Sequence, residues 1–421
     1  MIMQDNEKKP ALRFKGFTDP WEQRKLGEIA VFSKGVGYSK SDLCEEGTPI
    51  ILYGRLYTKY ETCIFDVDTF VKEKAGGVYS KGGEVIVPAS GETAEDISIA
   101  SVVVKPGILL GGDLNIVSPT AEYDSAFLAL TISSGATHKY LSSLAQGKSV
   151  VHLHNADIQS VSAKFPTKRE QEKIHLLFGK IDTLITLHQR KYEKLVNIKK
   201  SMLDKMFPKN GASVPEIRFK GFTDLWEQRK LVELTKTITT GKSVNSDEGE
   251  VSDGDIGVLK TSCVSYDRFN PSESKPVVKS EQQLVKCAVE KDSVIVSRMN
   301  TPERVGACGY VSTDFPNLFL PDRLWKLKFQ DTVDTYFVYM MLVSSAYKEK
   351  ITSMASGTSG SMYNIPKETF LNLQLVIPAK IDEQKQLGKI LKKIDTLITL
   401  HQRKLEKLQN IKKSCLEKMF V

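Results

Sequence analysis

The 421-residue chain is short of features that would classify it at once. It has no apolar run near the ~20 residues a membrane-spanning helix needs. Its first residues, MIMQDNEKKPALRF, hold no apolar h-region, so no secretory signal is expected. Its six cysteines (Cys44, Cys63, Cys263, Cys287, Cys308, Cys415) are scattered and form no CxxC pair. Thiolate zinc clusters and disulfide frameworks are thereby disfavoured, and reduced thiols in the cytoplasm are expected.

Catalytic motifs are missing as well. Gly147-Lys148-Ser149 and Gly241-Lys242-Ser243 end like a phosphate-binding loop, but Ser142 and Lys236 stand where its first glycine is required. Asn270-Pro271-Ser272-Glu273 lacks the second half of an adenine-methyltransferase tetrad, and no cofactor-binding glycine loop accompanies it. Pro321-Asp322 with Glu383-Gln384-Lys385 has the letters of a nuclease motif, but Glu383 falls in the first turn of a long helix, where acids suit the dipole. His152 and His154 have no carboxylate or thiolate at metal spacing, so no metal site is expected. There is no nucleophile elbow. A chain this long without a catalytic constellation reads as a binding component, with a self-contained nuclease or methyltransferase as the rejected alternative.

What is present is repetition. Lys180–Phe207 and Lys393–Phe420 differ at only four of 28 positions. Arg13–Leu26 returns at Arg218–Leu231 with one change, Pro20 to Leu225. Hydrophobic content of 41% and charged content of 26% suit a soluble protein, and the length suits two domains plus connectors. The net charge of +8 is uneven: 168–207 carries ten basic residues against five acids, 380–421 eleven against five. The basic excess therefore belongs to the repeated segments, and net charge alone argues weakly for nucleic acid.

Those segments read as helices with a seven-residue period. One row is Ile174, Ile181, His188, Leu195 and Met202; its partner is Phe178, Ile185, Tyr192, Lys199 and Met206. Leu177, Leu184 and Ile198 widen the stripe. The second copy repeats this with Leu387, Ile394, His401, Leu408 and Cys415, beside Leu391, Ile398, Leu405, Lys412 and Met419. Such helices cannot cover their stripes alone, so they are expected to pack on each other, antiparallel. Packing is assigned above all to Ile174, Phe178, Ile181, Ile185, His188, Leu195, Leu387, Leu391, Ile394, Ile398, His401 and Leu408. His188 and His401 read as packed seam histidines.

Between the frames lie two unlike inserts, Gly27–Phe165 and Val232–Ile377. Short β-branched runs between turn residues predict strands, as at Glu84–Val87 and Ser293–Val296. Helices are predicted at Ser125–Ser133, Thr137–Leu144 and Thr335–Ile351. The inserts share a layout: a small-residue loop (Ser33–Gly35; Thr240–Ser243), a strand (Ile50–Arg55; Gly257–Ser262), a strand-turn-strand (Glu84–Val104; Ser293–Val311), and a closing Gly-Lys-Ser or Gly-Thr-Ser loop (146–149; 357–361). Pro166 and Pro378 mark entry into the long helices.

The motifs at these boundaries carry a family likeness. Pro10–Gly16 and Pro215–Gly221 are each followed by Trp-Glu-Gln-Arg-Lys-Leu, and Phe165-Pro166 through Glu170-Gln171 is matched by Ile377-Pro378 through Glu383-Gln384. Over essentially its full length the chain resembles the specificity (S) subunit of Type I restriction–modification systems. The resemblance implies fold class α+β: two pseudo-two-fold related mixed α/β target-recognition domains, 1–166 and 210–378, separated by a long antiparallel coiled coil of two repeated helices, 167–209 and 379–421. It also implies a non-catalytic subunit that reads a bipartite, asymmetric DNA site, one half per insert, with the helices setting the gap. The implied partners are double-stranded DNA, two methyltransferase (M) subunits and restriction (R) subunits. S-adenosylmethionine, ATP and Mg belong to those partners and not to this chain. A ~38-residue helix at 1.5 Å per residue is ~57 Å long, about one and a half turns of duplex. The alternative is a non-catalytic scaffold whose inserts bind proteins.

Candidate base readers are polar and aromatic residues of the matched loops. They are Lys34, Tyr38, Arg55, Tyr57, Ser90, Glu92 and Thr93 in the first insert, and Lys242, Lys260, Ser262, Arg298, Asn300 and Thr301 in the second. Arg55 and Arg298 suit guanine and Asn300 suits adenine.

Overall fold

This computed structural model describes residues 10–420 other than 148, 210–211, 267 and 358–361. The closing loops expected at 146–149 and 357–361 therefore lie partly outside the described residues. The chain divides into two compact units, one of residues 1–190 with 402–421, the other of residues 191–401. The two chain crossings fall inside the long helices rather than in loops.

In the first unit, strand β1 (Glu22–Lys25) leads to β2 (Ala30–Lys34). Then come β3 (Cys63–Ile64), β4 (Glu84–Pro88), β5 (Ser90–Gly91), β6 (Ser101–Val103) and β7 (Leu114–Pro119). Helices α1 (Ser125–Ile132) and α2 (Gly135–Leu144) follow, then β8 (Val151–His152), β9 (Ser162–Phe165) and the long helix α3 (Lys168–Lys205). The main sheet has the order β2-β7-β4-β6-β3. Its central strand β4 is buried on both faces, and α1, apolar all round, packs against it. Each fully buried aliphatic side chain there contributes about 1.5–3 kcal/mol.

The second unit repeats the plan. Its elements are β10 (Glu227–Lys230), β11 (Thr235–Thr240), β12 (Ser293–Ser297), β13 (Met299–Asn300), β14 (Cys308–Val311) and β15 (Leu324–Phe329). Helices α4 (Thr335–Val343) and α5 (Ser345–Ser353), strands β16 (Tyr363–Asn364) and β17 (Gln374–Ile377) and the long helix α6 (Ile381–Met419) complete it. The sheet order is β11-β15-β12-β14, the first unit's order without its short edge strand. The single helical patch expected at Thr335–Ile351 is two helices. Ser344 is extended (φ −64°, ψ 152°) and breaks them, as Ser134 does between α1 and α2. Arg55 likewise begins a short helix rather than ending a strand, because the preceding strand stops at Ile51.

The recurring boundary motifs form a latch at the start of each long helix. Arg13 donates from Nε and Nη2 to both oxygens of Glu170, at 2.7 and 2.8 Å. Arg218 does the same to Glu383, at 2.6 and 2.7 Å. Glu170 is 0% exposed and Glu383 2%. The neighbouring glutamine ties the helix to the domain. Gln171 accepts from the Asp124 amide and donates to the Pro166 carbonyl; Gln384 accepts from the Asp334 amide and donates to the Pro378 carbonyl. Asp124 and Asp334 in turn cap α1 and α4 through the amides of Phe127 and Phe337.

Each unit is then closed by the end of a long helix. In the first unit the closing segment is the end of α6: Phe420 packs on Phe127 and Phe178, and the Leu12 amide bonds the Lys418 carbonyl. In the second it is the end of α3: Phe207 packs on Phe337 and Trp226, and the Ile217 amide bonds the Lys205 carbonyl. The helical segments run antiparallel within each unit. Asp182 pairs with Lys412 at 2.6 Å in the first, and Asp395 with Lys199 at 2.7 Å in the second. These are the same aspartate and lysine of the repeat, used reciprocally. The lysine at a seam position, unusual for a heptad, is thus a register pin. Ile174, Phe178, Ile181, Leu387, Leu391 and Ile394 are buried; Ile185, His188, Leu195, Ile398, His401 and Leu408 are half-buried. Leu184 and Ile198 are exposed, because a two-helix seam covers only the width of its two rows.

One latch is sensitive to pH. His175 Nδ1 lies 3.0 Å from Asp124 Oδ2. The hydrogen bond to Asp124 outweighs burial and raises the imidazole's pKa; for Asp124, burial opposes ionisation, but bonds from His175 and the Phe127 amide hold the carboxyl below its usual range. Gly388 occupies the matching place beside Asp334, where a Cβ would meet Asp334 Oδ1 at 2.6 Å. There burial dominates and raises the Asp334 pKa.

Removing Glu170 (Glu170→Ala) leaves a buried guanidinium unpaired and is expected to lower unfolding stability by about 3–5 kcal/mol in denaturant titration, with Glu383→Ala similar. The His175–Asp124 contribution has a defined window. The raised histidine stabilises below about pH 6.5 and loses that effect as pH rises through its folded pKa. The lowered aspartate stabilises above about pH 4 and loses it as pH falls. The stability difference between wild type and His175→Gln is expected to peak near pH 5 and to vanish above about pH 8 in unfolding curves measured across pH.

Candidate nucleic-acid interface

In the first unit the candidates separate into two places. Lys34 is exposed at the end of β2, opposite Asn115 on β7. Asn115 is buried and donates to the Leu153 carbonyl, while Asn155 donates to the Ser33 carbonyl. The Leu153 amide bonds the Ala89 carbonyl, and β8 pairs with β5 so that His152 faces Ser90. These bonds bring Lys34, Ser90, Glu92, Thr93 and His152 to one end of the sheet. Ser90 is buried in its strand; Glu92 and Thr93 are exposed, and Thr93 caps the short helix after it by accepting from the Asp96 amide. The rings of His152 and His154 lie parallel, 6.4 Å apart.

Tyr38, Arg55 and Tyr57 line a separate cleft of about 1050 Å³. Tyr38 is buried and its hydroxyl accepts from the Lys74 amide at 2.7 Å. Arg55 donates to Asp68 and Glu61, both at 2.7 Å, and to the Asp66 carbonyl; its side chain is 8% exposed. The Asp68 carboxyl, bonded first by Lys59 and then by Arg55, is held down to about 2. Tyr57 packs on Tyr53 at 6.2 Å, and burial raises its hydroxyl's pKa. The guanidinium assigned to guanine is therefore engaged inside the protein.

The second unit behaves alike. Arg298 donates from Nε to the Asp322 carbonyl at 2.7 Å. Asn300 is buried, donates to Ser297 Oγ, and accepts from the Thr301 amide. Ser262 donates to Glu273 at 2.6 Å, and Lys260 lies 4.0 Å from the same carboxylate. Lys242 and Thr301 are exposed. The two carboxylates of the apparent nuclease motif have different structural duties: Asp322 accepts from Ser243, while Glu383 holds Arg218 and Trp226. Among the described residues no three His, Cys, Asp or Glu side chains gather as a metal site, and no helix is long and apolar enough to cross a membrane.

Residues 18–197 and 223–410 match the family described as Type I restriction modification DNA specificity domain. The chain belongs to that family. It carries two copies of the specificity domain, and its role is DNA sequence recognition. Among proteins like it is the Type I restriction enzyme MjaVIII specificity subunit of Methanocaldococcus jannaschii, 21% identical over 400 residues, covering 94% of this chain and 91% of the relative. A putative Type I restriction enzyme MjaX specificity subunit from the same organism is 24% identical, covering 73% and 71%. The fold is similar to that of the crystal structure of the Type I restriction–modification S subunit from M. genitalium, with TM-score 0.68, 15% identity, and 98% and 99% of the two chains covered. Specificity subunits of Type I systems are non-catalytic, which fits a chain whose apparent motifs are structural.

The latch residues Arg13, Glu170, Gln171, Arg218, Glu383 and Gln384 were present in the boundary motifs but gave no sign of their role. The joint recurrence of Arg-Phe-Lys-Gly-Phe and Glu-Gln at matched distances is the signal that links them. For Arg55→Ala, the expected outcome is a lower unfolding midpoint, about 1–3 kcal/mol for the lost charged hydrogen bonds, with the recognised DNA sequence unchanged when methylated sites are mapped.

Proposed function

We propose that each unit of this specificity subunit reads one half of a bipartite, asymmetric DNA site, while the two long helices set the gap and dock two methyltransferase subunits. The observation that carries this reading is the contrast within the repeat. Near-identical latches and helix ends frame two sheets of the same order whose loops carry different side chains. Sequence is read by side chains on base edges, whereas phosphate contacts only position a protein. A fixed frame with variable edges is what two unlike half-sites require.

In this reading the reaction belongs to partners. Methyltransferase subunits would supply S-adenosylmethionine and transfer a methyl group to adenine, and restriction subunits would supply ATP- and Mg-dependent cleavage, in the cytoplasm. The chain's own part is recognition. Lys34, Glu92, Thr93, Lys242 and Thr301 have the exposure that DNA contact needs. Tyr38, Arg55, Ser262, Arg298 and Asn300 serve better as supports of the surface than as readers, since each is bonded internally. The lysines of the helices suit either the unread spacer or an acidic partner surface.

The test is to map methylated sites for the complex assembled with its methyltransferase subunits. Replacing the insert 27–165 with that of another specificity subunit is expected to change one half-site only. Inserting four residues into both long helices is expected to change the gap or abolish binding, because the apolar stripe shifts. Binding that is neither sequence-selective nor salt-dependent would instead favour a protein-binding scaffold.

A further inference from the structure

The strand pairs β5–β8 and β13–β16 occupy the same place in the two units. Ser90 faces His152 in the first, and Met299 faces Asn364 in the second. On the other side of each strand, the preceding loop makes an isolated bridge to the same residue: Gln146 with His152, and Ser356 with Asn364. Both bridges are closed by reciprocal amide–carbonyl bonds, at 3.1 and 2.8 Å in the first unit and 3.0 and 2.9 Å in the second. The next residue is Leu153 or Ile365, each fully buried, with its amide bonded back to Ala89 or Arg298. The backbone at His152 and Asn364 is thus pinned on both sides, in the same way, in both units.

The side chains at this pinned position differ between the units, and the protein makes little use of either. His152 is exposed, and among the described residues its ring makes no hydrogen bond, only the parallel contact with His154. Asn364 is half-buried and its Oδ1 has no hydrogen-bond partner. An unmet polar group of this kind costs about 1–3 kcal/mol, and its retention in an otherwise well-bonded strand calls for a role outside the folded chain. The contrast with Asn300 is direct: that amide lies one strand away and is bonded at both ends.

Resting on the DNA-recognition reading above, we infer that His152 and Asn364 are specificity-determining residues, each reading a base edge in the half-site of its own unit. A side chain on a backbone held from both sides is aimed with the precision that base readout needs, more than one on a free loop. Carboxamide geometry matches the donor and acceptor of adenine in the major groove, and an imidazole N–H matches the acceptors of guanine. The two positions supply different chemistry at the same register, as two unlike half-sites demand.

The experiment uses the full chain assembled with its methyltransferase subunits and reads the methylated sequence by modified-base sequencing. His152→Asn is expected to alter base choice in one half-site only, and Asn364→His in the other half-site only. Discrimination at the affected position should change about tenfold or more, with the gap unchanged. The alanine variants are expected to relax the same positions while leaving melting temperature and the salt slope of binding as in wild type. If wild type selects sequence but all four variants keep its word and preference, this assignment is overturned and the DNA reading stands. A uniform loss on all sequences with a shallower salt slope would make them phosphate contacts, which also overturns it. If the wild-type complex shows no sequence selection at all, the functional reading itself fails.

Discussion

A buried arginine–glutamate fork holds each half of this protein together. Arg13 on Glu170 and Arg218 on Glu383 join a segment before the sheet to the first turn of a helix more than 150 residues later. A buried ion pair is a poor source of stability compared with packed apolar side chains. Its geometry is another matter, because a bidentate fork tolerates little rotation or shift. The glutamine beside each glutamate then fixes the amide that begins the α1 or α4 cap. Helix direction, helix start and domain core are set by one small bonded cluster, and the repeat preserves it almost letter for letter.

The long helices were legible because periodicity is a strong signal over 38 residues, and Pro166 and Pro378 mark where they begin. The paired layout of the inserts was legible too, from turn residues and β-branched runs. Which helix end closes which unit was not. Met206-Phe207 and Met419-Phe420 have the same local sequence, and only the long-range contacts with Trp226 and Phe337, or with Phe127 and Phe178, tell them apart. Pairwise helix packing was accessible from the pattern; the exchange of ends was not.

The candidate site was harder to read for a similar reason. Residue type suggested Arg55, Arg298 and Asn300 as readers, yet type does not reveal whether a donor is already occupied. Arg55 meets acids on the loop after its own helix, Arg298 meets a carbonyl 24 residues away, and Asn300 reaches Ser297 and Thr261. His152 drew attention only as a metal ligand without companions. Its place became meaningful when the strand pairing set it level with Asn364 of the other unit, a correspondence hidden by unlike loop sequences.

The assignment of 402–420 to the first unit has a consequence for biosynthesis. A chain leaves the ribosome from its N-terminus, and domains generally fold as they emerge. The first unit's sheet and latch are complete once α3 has begun, but the seat on Phe127 and Phe178 stays open until Phe420 arrives. The second unit, which takes its closing aromatic from Phe207, already has that residue when its own sheet is made. The half made first is therefore finished last.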